Sequence, residues 1–168
     1  MRNVFVLVGA GMLVTACASA SPAPSPAPVM AERLESGPAP VSGLDWFLTE
    51  DPTETRLAYG LANSGDFRMA LYCEPGAGRL GLMQAADGPA AVMVLESGGD
   101  MERLATTVEP AGVTDGTLLL AEALPSVPVL QRFRTLGWLA VWQGEKREML
   151  AGHPESRPSI DRFFTLCS

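Results

Sequence analysis

The hardest constraint on this chain is its punctuation. Between residues 45 and 123, short apolar stretches alternate with turn-forming clusters: Asp51-Pro52, Asn63-Ser64-Gly65-Asp66, Glu74-Pro75-Gly76, Asp87-Gly88-Pro89, Gly98-Gly99-Asp100 and Asp115-Gly116. An ordinary helix needs about ten to twelve uninterrupted residues, whereas a strand needs only about four to eight. The intervals therefore read as strands at 45–49 (DWFLT), 55–60 (TRLAYG), 67–73 (FRMALYC), 79–85 (RLGLMQA), 90–96 (AAVMVLE), 102–108 (ERLATTV) and 117–123 (TLLLAEA). In 67–73, Phe67, Met69, Leu71 and Cys73 alternate onto one face, the period of a strand with one side buried.

The last third changes period. Ser126 stands where it would cap a helix over 127–136, with Val129, Leu130, Phe133 and Leu136 at helical spacing and Gly137 just past the end. A hairpin follows, 138–143 and 146–151. Ser156 then precedes Pro158 at an early helical position, and Ile160, Phe163, Phe164 and Cys167 fall at i, i+3, i+4 and i+7. The expected fold is mainly β with two short helices: an antiparallel β-sandwich or barrel-like domain over 44–168, closed by a C-terminal helix. That length suffices for its own core.

The N-terminus is of another kind. Residues 4–14 (VFVLVGAGMLV) form an eleven-residue apolar run behind Arg2, long enough for the core of a secretory signal and well short of the ~20 residues a bilayer span needs. The run ends Val14-Thr15-Ala16-Cys17, which resembles the lipobox of bacterial lipoproteins. The resemblance implies removal of residues 1–16, acylation of Cys17 and anchoring to a membrane without spanning it; two or more acyl chains make such anchoring stable. Ala18, where an Asp would resemble the inner-membrane retention signal, favours the periplasmic face of the outer membrane in a Gram-negative cell. Residues 17–43 then form a tether, because PAPSPAP and its surroundings have almost nothing large and apolar to bury.

Without residues 1–16 the chain keeps eleven basic and nineteen acidic residues, a net charge of −8. That is a poor surface for nucleic acid or anionic lipid. Gly76-Ala77-Gly78-Arg79-Leu80-Gly81 matches G-x-G-x-x-G, but a dinucleotide site needs a helix directly after the loop and a strand is expected there. His153 is the only histidine and sits in a loop, Gly152-His153-Pro154-Glu155. There is no GxSxG, SxxK or CxxC motif, and no run of acids at calcium-loop spacing. No catalytic residue, cofactor or metal site is expected, although a glycosidase-like pair of acids is invisible to sequence. Trp138, Ala140 and Trp142 share one face of a strand, where they form either core packing or an aromatic platform for a sugar or a protein partner.

Two exported families are similar in part. The hairpin followed by a short helix closing on a cysteine, residues 138–167, looks like the end of invasion-associated locus B proteins. The outer-membrane lipoprotein inhibitors of lysozyme pair an early strand cysteine with a C-terminal one and use a Ser-Gly loop; here Ser97-Gly98 is followed by Gly99-Asp100-Met101 rather than a tyrosine. With Cys17 assigned to lipid, Cys73 and Cys167 remain as an even pair in an oxidising compartment, both on apolar faces, and a bridge between them is expected. The functional expectation is a membrane-anchored envelope lipoprotein with a non-catalytic binding or structural role, its partner an envelope protein or the cell wall. A periplasmic inhibitor or ligand-binding module is the alternative, and an envelope hydrolase comes third.

Overall fold

The computed structural model describes residues 37–112 and 116–168. Eight strands come first: β1 (Leu44–Glu50), β2 (Thr55–Leu61), β3 (Phe67–Cys73), β4 (Leu80–Ala86), β5 (Val92–Ser97), β6 (Asp100–Ala105), β7 (Thr107–Pro110) and β8 (Thr117–Ala123). Helix α1 (Pro128–Leu136), the hairpin β9 (Trp138–Gln143) and β10 (Lys146–Ala151), and helix α2 (Arg157–Leu166) complete it. The strands form two sheets, ordered β1-β2-β3-β4-β8-β7 and β10-β9-β5-β6. Every pairing is antiparallel. The sheets remain separate, so the domain is a β-sandwich and not a closed barrel.

The alternating positions do what their period requires. Leu57 faces Leu71 and Tyr59 faces Met69 on the inner side of the six-stranded sheet, and Leu82 faces Ala121 beside them. Met93, Leu95, Leu139, Val141 and Leu150 meet them from the four-stranded sheet, all almost wholly buried. The two helices fill the remaining opening with Val129, Leu130 and Phe133 from α1 and Ile160, Phe163 and Phe164 from α2. Trp46 lies where these layers meet: its ring centroid is 5.2 Å from that of Tyr59 and 4.7 Å from that of Phe133. Its indole N–H donates to the Leu150 carbonyl at 3.2 Å, joining the two sheets.

Three details depart from the sequence pattern. The expected strand 102–108 is two strands in two sheets: Thr106 donates its N–H to Ala91 O (3.1 Å) and its hydroxyl to Ala90 O, and the chain changes sheet there. Alternation continues through such a crossing, so its period cannot reveal it. Phe67 leaves the core face, because a bulge shifts the β2–β3 register and sets Phe67 opposite Gly60. Ser126 does not cap α1; Val127 takes the N-cap position with extended backbone and no side-chain hydrogen bond. Gly137 ends α1 as expected, at φ +75° with its N–H on Phe133 O. The chain is also packed before residue 44, since a Cβ on Gly37 would stand only 2.7 Å from Trp138 Cδ1.

Cys73, at the end of β3, is disulfide-bonded to Cys167, which caps α2; their Cα atoms are 5.8 Å apart. The Gly76 N–H donates to Leu166 O at 2.8 Å, a second tie between the β3–β4 turn and the helix end. The bridge closes a loop of 94 residues, for which chain-entropy models give about 4–5 kcal/mol and typical measurements about 2–4. Replacing both cysteines by alanine should therefore lower the unfolding free energy by about 2–4 kcal/mol in urea denaturation. Addition of reductant should destabilise the parent domain and leave the double variant unchanged.

Candidate binding surfaces

Strand β9 has two apolar sides. Leu139 and Val141 point into the sandwich, leaving Trp138, Ala140 and Trp142 on the outer face of the four-stranded sheet. Trp138 is only 3% exposed, packed with Ala140, Ala151, Leu136 and Met149. Its buried Nε1 meets no acceptor. Trp142 is half-buried and tied at its edge, donating Nε1–H to Glu96 Oε2 at 2.9 Å. Arg147 chelates the same carboxylate through Nε (2.9 Å) and Nη2 (2.5 Å), with its guanidinium carbon 5.8 Å from the Trp142 ring. Of the two tryptophans read as a partner surface, Trp138 is withdrawn from solvent and Trp142 is held rigid by Glu96 and Arg147.

Glu96 is the centre of this arrangement. A half-buried carboxylate that accepts from an indole and a guanidinium stabilises both donors, and its removal leaves them unpaired. Glu96→Ala is expected to cost about 1–3 kcal/mol in urea denaturation. Glu96→Gln keeps an acceptor for Trp142 and should lose less, and the gap between the parent and either variant should narrow at high salt as screening weakens the parent's Glu96–Arg147 ion pair.

The remaining sequence candidates occupy structural positions. The Gly76–Gly81 string is the turn after β3, with Gly76 and Gly78 at positive φ, running into the first two residues of strand β4 rather than into a helix. His153 acts through its backbone: its N–H donates to Asp45 Oδ1 at 2.9 Å, and its carbonyl accepts from Ser156 N (3.0 Å) and Oγ (2.8 Å). Asp45 also accepts the Trp46 N–H at 2.8 Å. Ser97 is fully buried, with its hydroxyl donating to Trp138 O at 2.8 Å, so Ser97-Gly98 displays no hydroxyl to a partner. Acids are widely paired across elements, including Glu50–Arg162, Arg68–Glu148, Asp100–Arg132 and Asp161–Arg134. Among the described residues there is no group of three or more His, Cys, Asp or Glu placed to hold a metal ion. Cys17 lies outside the described residues.

The outer face of the six-stranded sheet carries features that the sequence reading missed. The Tyr72 ring lies across Gly81, where a Cβ would stand 2.2 Å from it. Tyr72, Ala105, Thr107, Leu120, Ala121 and Glu122 line a shallow depression of about 490 Å³. Burial raises the Tyr72 phenol above its usual pKa of 10.0, and Glu54, Glu122 and Glu109 add to the shift against Arg56. Tyr59 is raised chiefly by burial, with Asp45 adding. At the other end of this face, Phe47 and Phe67 flank Gly60, and Leu61 borders the same depression from the end of β2. Alternation alone does not mark these residues, because several occupy the positions that a one-sided sheet leaves polar.

The raised values have a defined sign. The folded state holds both phenolic protons more tightly than the unfolded chain, so this contribution to stability is intact below the ordinary pKa. It is lost as pH rises through the folded values. Tyr59 and Tyr72 are the chain's two tyrosines. Tyrosinate absorbance in the folded domain should therefore appear only above pH 10.0, return to the ordinary range in urea, and fall by half in amplitude in Tyr72→Phe.

Comparison with known proteins returned no matching family model, no matching curated protein and no matching solved structure.

Proposed function

We propose that this chain is an exported lipoprotein, acylated at Cys17, whose sandwich domain serves in the cell envelope as a non-catalytic binding or structural module. The observation that carries the reading is the apolar run ending in Val14-Thr15-Ala16-Cys17. Small residues before the cysteine suit a peptidase cleft, and the thiol supplies the nucleophile for attaching lipid. Ala18 after the cysteine directs the reading to the periplasmic face of the outer membrane in a Gram-negative cell. The Cys73–Cys167 bridge supports an oxidising compartment.

The non-catalytic part is supported by how the domain uses its ionisable groups. Glu96 is chelated by Arg147, and Asp45 accepts two backbone N–H groups. A catalytic acid or base has to reach a substrate proton, and each of these carboxylates already has a structural partner.

Metabolic labelling with a fatty acid tests the anchor. The full-length chain is expected to take up label and to fractionate with membranes, whereas Cys17→Ser should take up none and remain soluble or unprocessed. Label persisting on the Cys17→Ser chain would refute the reading.

A further inference from the structure

Three of the large apolar side chains that the described residues leave exposed border the part of the six-stranded sheet where the chain enters: Val41 (50%) and Leu61 (48%), the latter opposite Leu44 at the sheet's end, and Phe47 (39%) farther along β1 on the outer face, opposite Ala58. Two adjoining depressions, about 490 and 480 Å³, share Gly60, Leu61, Asp66 and Phe67; Phe47 borders the first and Val41 the second. Gly60 forms the floor because a Cβ there would stand 2.3 Å from the Asp66 carbonyl oxygen. The β2–β3 bulge is what turns Phe67 to this side. At the margin, Arg56 is paired with Glu54 (2.7 Å) and Arg68 with Glu148 (2.8 Å), which leaves the carboxylate of Asp66, without an ion pair among the described residues, as the charge bordering both depressions.

The chain also enters the domain here. Val41 follows Gly37 by four residues, and Cys17 stands twenty residues before Gly37. At ~3.1 Å per residue, that spacer reaches roughly 60 Å when fully extended.

We infer that this end of the domain rests on the lipid surface that holds Cys17, with Val41, Phe47 and Leu61 entering the interfacial layer; the inference depends on the acyl anchor proposed above. A lipid surface fits better than a protein partner on grounds of size. A stable protein complex buries about 800 Å² per partner, and a handful of apolar side chains falls well short of that. Interfacial binding scales with buried apolar area and has no such threshold. The anchor makes contact intramolecular, at an effective concentration on the order of millimolar for a short linker, so a weak patch is enough. The acidic domain opposes anionic lipid, and the contact therefore suits a zwitterionic surface.

The test uses the full acylated chain on phosphatidylcholine vesicles brominated in their acyl chains. A Leu61→Trp chain should float with the vesicles, and its added emission should be blue-shifted and largely quenched. Met101→Trp, at a 58% exposed position on β6, should float equally well with its added emission unquenched. Adding Val41→Asp and Phe47→Asp to the Leu61→Trp chain should restore solvent-like emission without affecting flotation. Amide hydrogen exchange of the unsubstituted acylated chain should slow around residues 41, 47 and 61 on vesicles, a readout independent of any variant's folding. A floating protein with no quenching at position 61, or equal quenching at 61 and 101, and with no local slowing of exchange, overturns the membrane contact while leaving the anchor intact. A chain that does not float overturns the anchor itself and the contact with it.

Discussion

The sandwich depends on the way Trp46 joins three layers. It belongs to β1, the edge of the six-stranded sheet, yet its ring packs on Tyr59 of β2 and Phe133 of α1 while its N–H reaches the Leu150 carbonyl of β10. Truncating a buried aromatic of this size costs about 3–5 kcal/mol in measured cases, a large share of the roughly 5–15 kcal/mol that holds a domain together. The neighbouring chain is shaped to it: a Cβ on Gly152 would stand 2.9 Å from Trp46 Cδ1. Asp45 completes the device by accepting the N–H groups of Trp46 and His153, which blocks part of an edge strand that would otherwise offer itself to another sheet.

Much of this was legible in the sequence, and the reason is local. Turn clusters, the alternation in β3, the helical spacing of Ile160, Phe163, Phe164 and Cys167, and Gly137 past α1 act over a few residues and survive any tertiary arrangement. The change of sheet at Thr106 was not legible, because a strand can pair with either sheet without altering its alternation; only the hydrogen bonds from Thr106 to Ala90 and Ala91 decide it. The displacement of Phe67 is similar, since a bulge is a property of two strands in register and not of one. Ser126 has the right chemistry for a cap, but Val127 takes that position, and the chain just before the helix is tied instead by the Gln131 amide donating to Pro125 O.

The candidate surfaces were less legible than the fold for the same reason. Trp138 and Trp142 differ by four positions on one strand and look equivalent in sequence. One is sealed by Leu136, Met149 and the incoming chain at Gly37, and the other is held by Glu96 and Arg147 from two neighbouring strands. Gln84 shows the reverse case: a polar residue in an apolar stretch that turns inward beside Leu119 with both amide atoms unpaired, a burial that costs about 1–3 kcal/mol. A sequence gives no warning of such a cost, because the direction of a side chain near the end of a strand follows from register.

These features share a consequence for how the domain meets other molecules. Its basic groups are largely paired, as Arg162–Glu50 and Arg134–Asp161 link helices to sheet or to each other across the surface, whereas acids such as Asp66, Glu102 and Glu109 have no ion pair among the described residues. Exposed pairs of this kind contribute little stability, typically about 0–1 kcal/mol, and the unpaired acids leave a net negative field that repels anionic partners. Contact with a neutral lipid surface gains nothing from that field and has to come from apolar side chains at short range. That makes tethering decisive. An apolar patch the size of the Val41–Phe47–Leu61 end has too little area to capture a partner from solution. Held by an anchor some twenty residues away, it needs only to outcompete solvent at a distance the chain already enforces. The proposed acyl anchor and the proposed lipid contact are thus physically coupled, because the first supplies the proximity without which the second has too little area to act.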